Sequence, residues 1–280
     1  MKAFDFHVHQ RTGDRVKGGQ AWASAQQLFG SQSSTAVDLA DYYASRDMRA
    51  VVFDVDAETI DGMRACNDTI IDAVAASNGV LVGFATVDPW KGKAAVQELD
   101  RCRSLGLKGL KVQPVTQQLH LNDRRFYPLW DYCQSHGLPI LVHTGTTGIG
   151  AGSPGGGGYK LKYGRPVPDL DDVAADFPEL VLVAAHFAWP WHLEALAIAR
   201  HKKNVYVDLS GWSPRYFPAE VVKHFNSVMP DKFLFGSDYP LLSPDRWIKE
   251  FAELDLKPGV REKILFENAC RILDLSTDRA

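Results

Sequence analysis

Along the 280 residues, short β-branched and aromatic runs take turns with longer runs whose apolar side chains recur three and four positions apart. The short runs predict strands over residues 2–9, 50–55, 80–87, 107–113, 138–144, 180–186, 204–210 and 232–238. Between them, VDLADYYASRDM, TIIDAVAAS, AAVQELDRCRSL, FYPLWDYCQSH and HLEALAIARH each carry one apolar stripe, as helices burying a single side do. Strand then helix, repeated eight times, predicts an α/β fold: a TIM-like (β/α)8 barrel with an outer helical ring. An open doubly wound sheet would need a reversal of strand order, and the chain carries no sign of one. Neither a repeat nor a linker interrupts it, so a single domain is expected over residues 1–280. Two connections are long, 10–35 after strand 1 and 145–167 after strand 5. Both are expected at the C-terminal rim, where barrels of this kind build their sites.

The first strand contains FDFHVH. In a regular strand Asp5, His7 and His9 share one face, and Phe4, Phe6 and Val8 share the other. Two imidazoles aimed into one space point to a metal ion. Other polar residues fall at later strand ends: Lys111 and Gln113, His143 and Thr144, His186, Asp208 and Ser210, and Asp238. In a barrel these positions converge on one mouth. A lone histidine at a strand end is ordinarily a hydrogen-bonded surface residue. The joint occurrence on strands 1, 5, 6 and 8 carries the argument, because imidazole nitrogen and carboxylate oxygen suit a borderline divalent ion.

Composition narrows the class. An apolar content of 45% with 23% charged residues is that of a globular protein. A net charge of −3 offers no broad attraction to nucleic acid or anionic lipid. No apolar stretch approaches the roughly 20 residues that span a bilayer, and the N-terminus has no secretory pattern, so a cytoplasmic location is expected. The scattered Cys66, Cys102, Cys133 and Cys270 read as reduced, mostly buried thiols. His120, His136, His192, His201 and His224 read as structural.

The motifs FDFHVH, GLKGLKVQP, LPILVHTGT, LVLVAAHFAWPW, NVYVDLSGW, FLFGSDYP and ILFENACRIL run from residue 4 to residue 273. As a set they resemble the amidohydrolase superfamily, in the amidohydrolase-2 branch that includes aminocarboxymuconate-semialdehyde decarboxylase, γ-resorcylate decarboxylase and related hydrolases. The resemblance implies metal ligation by His7, His9, His143 and Asp238, with His186 acting on the substrate or on a water. It implies one divalent ion, zinc ahead of manganese, since nothing shows Lys111 to be the carbamylated bridging lysine of binuclear members. It also implies a homodimer. The run from His143 to Leu180 is similar to hydrolases of 4-hydroxyphenyl-β-ketoacyl-CoA.

The expected chemistry is hydrolysis of a carbon–carbon bond beside a carbonyl, in an aromatic or acyl-CoA substrate. A divalent ion lowers the pKa of water from about 16 to about 7; His186 and Asp238 are the expected catalytic pair, with Asp238 taking the proton. Decarboxylation of a small aromatic or unsaturated acid is the alternative, with lactone or amide hydrolysis behind it. A barrel that binds without chemistry fits this residue set poorly. Lys111 and Gln113 are candidates to hold a carboxylate or enolate, although Lys111 paired with Asp208 serves equally. In the 145–167 loop, glycines suggest mobility, and Lys162 and Arg165 suggest an anionic ligand such as CoA phosphates. Trp212 and Tyr239, with Trp90, Trp189 and Trp191, favour a flat substrate. Asp5 either sets a histidine tautomer or is paired elsewhere in the barrel.

Overall fold

The structure, a computed structural model, describes residues 2–10 and 36–276. Eight strands follow one another in sequence order: β1 (Ala3–His9), β2 (Met48–Phe53), β3 (Leu81–Thr86), β4 (Gly109–Val112), β5 (Ile140–Val142), β6 (Leu182–Ala184), β7 (Val205–Asp208) and β8 (Phe233–Leu234). Each pairs in parallel with the next. The seam between β8 and β1 is closed by Phe6 N donating to Phe235 O (2.8 Å), Asp238 N to His7 O and His9 N to Tyr239 O (both 2.9 Å). The sheet therefore returns on itself, as a TIM-like (β/α)8 barrel does, with no reversal of strand order. The connection expected over 10–35 lies, from residue 11 onward, outside the described residues. Among the described residues no helix is long and apolar enough to cross a membrane.

Two apolar layers hold the barrel. Outward side chains such as Ala50, Val52, Leu110, Val142 and Val207 pack on Leu39, Ile70, Leu99 and Trp130 of the helices Ala36–Ala44, Asn67–Ala76, Lys93–Ser104 and Tyr127–Ser135. Inward ones, Phe4, Phe6, Val51, Phe53, Phe84, Leu141, Val183 and Leu234, fill the interior. Gly109 makes room for this plug, since a Cβ there would stand 2.6 Å from the Phe84 ring. Burying each such aromatic contributes on the order of 2–3 kcal/mol. The plug is a dry floor beneath the polar mouth.

The first strand departs from regular alternation. Its register with β2 shifts between Asp5 and Val8, a β-bulge that places two consecutive residues on one face. Phe4 and Phe6 join the interior plug, whereas Val8 joins the outer layer. Asp5 therefore does not share a face with His7. Its Oδ2 instead accepts from the hydroxyls of Tyr43 (2.8 Å), on the helix Ala36–Ala44, and Ser237 (2.5 Å), while Oδ1 accepts from Ser237 N (2.8 Å) and His7 N (3.2 Å). Of the two expectations for Asp5, the structure favours the carboxylate paired elsewhere. It adds side-chain bonds to the backbone bonds that close the β1–β8 seam.

Strands 5, 6 and 8 also end earlier than their sequence runs suggest. His143 directly follows β5, its N still donating to Val112 O (2.9 Å), whereas His186 and Asp238 stand beyond their strands, so loop geometry rather than strand pleat aims these two. The connection after β5 is tied down. Arg165 pairs with Glu194 (2.7 Å) and the Tyr159 hydroxyl donates to Asp61 (2.8 Å). A Cβ on Gly150 would strike the carbonyl of Gly156, and one on Gly164 that of Gly145. At these two positions glycine permits close backbone contact.

Candidate metal centre

His7 and His9 enter the mouth from the upper end of β1, and Asp238 meets them from the turn after β8. One ligand atom from each lies within 4.8 Å of the other two. His9 Nε2 is 3.1 Å, and His7 Nε2 3.5 Å, from Asp238 Oδ1. Asp238 Oδ1 is buried and has no aligned hydrogen-bond partner, although a carboxylate oxygen left so is costly. Burial would raise the Asp238 carboxyl, but His9 at hydrogen-bonding range and the basic neighbours His186 and Lys111 outweigh it and hold the group below its usual value. Burial, followed by the charge of Lys111, keeps His7 well below the usual imidazole range; burial also lowers His9 against the pull of Asp238. Neutral imidazoles beside an ionised carboxylate are the donor state a divalent ion needs. The set fits one.

His143 and His186 form an adjoining pair. His186 Nε2 is 3.1 Å from His143 Nδ1, His143 Nε2 is 3.1 Å from Thr146 O, and the His7 and His186 rings lie 4.7 Å apart. Burial, followed by the neighbouring basic groups His186 and Lys111, holds His143 well below the usual imidazole range. His186 sits in an unusual turn, in which His186, Phe187 and Ala188 all have positive φ (59°, 39° and 54°); Asp238 does too (66°). Each such residue costs about 1–3 kcal/mol, offset here by burial. Phe187 is fully enclosed, with ring centroids 5.6 Å from Phe217 and 5.9 Å from Trp212.

Lys111 lies inside the barrel at 1% exposure, its Nζ 3.4 Å from His7 Nε2 and 4.7 Å from the Phe53 ring centroid. Burial brings its ammonium down to about 8 against the pull of Asp208 and Asp238. The lysine–Asp208 pair entertained from sequence is not formed: Asp208 Oδ2 meets His7 Nδ1 at 2.6 Å and Oδ1 accepts from Ser210 N at 2.5 Å. Gln113 is buried, and its Oε1 caps a helical turn by accepting from Thr116 N at 2.9 Å. Trp212 packs at a tilt against Trp189 (4.9 Å between centroids) and Tyr239 against Tyr42 (5.1 Å). Arg165 is exposed and engaged by Glu194, and exposed Lys162 lies over Tyr163 at 4.8 Å. The structure thus brings His7, His9, His143, His186, Asp238 and Lys111 together, and shows Lys162 and Arg165 engaged on the outer loop.

The sequence model of the amidohydrolase family matches residues 4–275. The chain belongs to the amidohydrolase family. No curated protein matches this amidohydrolase significantly. Among solved structures it is similar to an uncharacterised TIM-barrel protein from Bordetella bronchiseptica, with 23% identity, TM-score 0.78, 98% of this chain and 99% of the other covered. It is also similar to a dihydroxybenzoic acid decarboxylase from Polaromonas with bound manganese and the inhibitor 2-nitroresorcinol, with 17% identity, TM-score 0.68, and 100% and 98% covered. A third is a probable 2-pyrone-4,6-dicarboxylic acid hydrolase from Acinetobacter baumannii with citric acid bound, with 15% identity, TM-score 0.70, and 98% and 100% covered.

This amidohydrolase also uses residues that sequence reading missed. Gly211 has φ 75°, and a Cβ there would stand 2.8 Å from His186 Nδ1 and 3.2 Å from Asp238 Oδ2. Glu250, buried on the helix Pro244–Ala252, accepts from Ser213, Arg215 and Arg246, which anchors the loop carrying Gly211 and Trp212. Gly211 follows the polar end of strand 7, which is a signal available in sequence. The Glu250 anchor, 35 or more residues from Ser213 and Arg215 in the chain, offers none. All four cysteines are free; Cys102, Cys133 and Cys270 are buried, and Cys66 is half-buried.

Proposed function

We propose that this protein is a metal-dependent hydrolase that cleaves a carbon–carbon bond beside a carbonyl in an aryl β-ketoacyl-CoA or a related aromatic substrate. The observation that carries this reading is the buried Asp238 Oδ1, ionised and without an aligned donor, beside two neutral imidazoles. His7, His9 and Asp238 would hold the ion, with His143 at the edge of the same space. A divalent ion there supplies Lewis acidity toward a carbonyl oxygen and makes water acidic near neutral pH.

The chain's own groups complete the chemistry. Asp238 takes a proton from water through the oxygen turned away from the ion, and water adds to the ketone carbon. The carbon–carbon bond then breaks, its electron pair passes to the carbon next to the thioester, and Asp238 returns the proton there. One water is consumed; an aryl acid and a shortened acyl thioester leave. The His186 N–H, directed at His143 in the free protein, would turn to donate to the substrate oxygen. The Lys111 ammonium offsets negative charge developing at the mouth, and Trp189, Trp212 and Tyr239 offer flat faces to the ring.

Decarboxylation of a dihydroxybenzoate-like acid is the second reading. It is favoured by the fixed cation of Lys111 beside the cluster, and it accords with the similarity to a dihydroxybenzoic acid decarboxylase. Product analysis separates the two. Incubation of the zinc- or manganese-loaded protein with an aryl β-ketoacyl-CoA is expected to release the aryl acid and acetyl-CoA without carbon dioxide. Carbon dioxide from 2,6-dihydroxybenzoate, with no cleavage of the thioester substrate, selects the decarboxylase. Full turnover after metal removal would defeat both.

A further inference from the structure

We propose that Asp208 and Ser210 are positioning residues that set the ring tautomers of His7 and His186. His7 then presents a bare Nε2 to the ion, and His186 presents an N–H. The inference rests on the reading of His7 as a ligand.

Start with His7. Its Nδ1 lies 2.6 Å from Asp208 Oδ2. Burial raises the Asp208 carboxyl, but Ser210 N donates to its other oxygen and His186 and Lys111 favour its ionised form, which only accepts, so Nδ1 carries the proton. Its Nε2 lies 3.4 Å from Lys111 Nζ, and an ammonium only donates, so Nε2 is bare. Two neighbours on opposite edges of one ring thus require the same tautomer. The other tautomer would set an N–H against the ammonium and a lone pair against the carboxylate. Asp208 is itself fixed by Ser210 N (2.5 Å). Gly236 leaves it room, since a Cβ there would stand 2.9 Å from Asp208 Oδ1 and 3.0 Å from His7 Cβ.

The constraint passes onward through Ser210, whose Oγ is 3.1 Å from His7 Nδ1 and 2.9 Å from His186 Nδ1. Because the His7 proton is held by the nearer Asp208, the single hydroxyl proton of Ser210 turns to His186 Nδ1, which is then bare. His186 Nε2 carries the proton and donates to His143 Nδ1 at 3.1 Å. His143 agrees independently: its Nε2 faces the Thr146 carbonyl at 3.1 Å, which only accepts, so its Nδ1 is bare. The Ser210 carbonyl, 3.2 Å from His186 Nδ1, is the competing acceptor. Were His186 protonated there, two bare nitrogens would face each other across 3.1 Å. Ligating histidines commonly have their other nitrogen fixed in this way.

Metal-free protein labelled with 15N-histidine, read by long-range proton–nitrogen correlation, tests the inference in the unaltered chain. The expected result is His7 protonated at Nδ1 alone and His186 and His143 at Nε2 alone. His7 protonated at Nε2, or His186 at Nδ1, overturns it. In Asp208→Asn, zinc affinity measured by competition with a chromophoric chelator is expected to fall about 10–100-fold with the circular dichroism unchanged; undiminished affinity overturns the role of Asp208. Ser210→Ala is expected to mix the His186 tautomers, and Ser210→Thr to restore one. An unchanged His186 signal in the alanine variant overturns the role of Ser210. A chain with the expected tautomers that binds no zinc would defeat the metal reading alone, whereas zinc binding with the opposite tautomers would defeat only this inference.

Discussion

His9 Nε2 faces Asp238 Oδ1 across 3.1 Å, one from the end of β1 and the other from the turn after β8, with no hydrogen aligned between them. A buried oxygen in this state gains most from a cation. Asp238→Asn keeps the shape and removes the charge, and its zinc affinity is expected to drop by about two orders of magnitude, in line with the loss of roughly 3 kcal/mol for an uncompensated charged partner. Calorimetry checks it. Zinc at about 100 times its dissociation constant is expected to stabilise the unaltered protein by about 2.7 kcal/mol, and the variant by almost nothing. An equal shift in melting temperature for both would exclude Asp238 as a ligand.

His143 and His186 touch each other yet are assigned different work. His143→Ala removes the acceptor that holds the His186 ring beside the three ligands, and is expected to lower both bound metal and turnover. His186→Ala is expected to retain metal and lose about 10²–10⁴-fold in kcat, the range for removing an acid–base group. Metal content by elemental analysis beside the product assay distinguishes them. Full metal and full rate in both variants would contradict the assignment.

Gly211 occupies positive φ, with His186 and Asp238 crowding the place a Cβ would take. Gly211→Ala therefore strains the backbone and pushes a methyl into His186 Nδ1 at once. A loss of about 1–3 kcal/mol is expected from the backbone alone, together with reduced zinc affinity. Urea unfolding with a parallel chelator competition reads both; a stable variant with intact affinity would show that the loop simply moves aside.

Away from the mouth, Glu98 is held at about 2, well below its ordinary 4.5, by hydrogen bonds from Arg101 and, against burial, from Asn67. A depressed carboxyl contributes stability above its unfolded pKa and loses it as pH falls through the folded one. The contribution is thus whole above about 4.5 and fades as pH drops toward 2. Glu98→Gln is expected to be less stable near neutrality and to show a shallower acid limb across that window. Unfolding midpoints measured from pH 7 to pH 3 test it; parallel curves would remove Glu98 from the acid response.

Eight alternating runs of strand and helix were legible because each follows local chemistry, with period two or three to four matching one face of a sheet or helix. For the same reason His7, His9, His143, His186 and Asp238 stood out, being polar residues that end apolar runs. Asp5 shows where local pattern fails. Alternation put it beside the histidines, but the bulge before Val8 turned it toward Tyr43 and Ser237. A bulge depends on what the neighbouring strand and the closing seam require, which no single run encodes.

The amino-acid order by itself determined the barrel, its polar mouth and the residue types able to hold a cation, because periodicity and side-chain chemistry act within a few residues. Only the tertiary structure decided which nitrogen of each ring faces inward, that Asp208 serves His7 rather than Lys111, and that the loop after β7 leans on Glu250. Those choices join residues as many as 201 positions apart. Hydrogen bonds and burial select among them once the chain has closed.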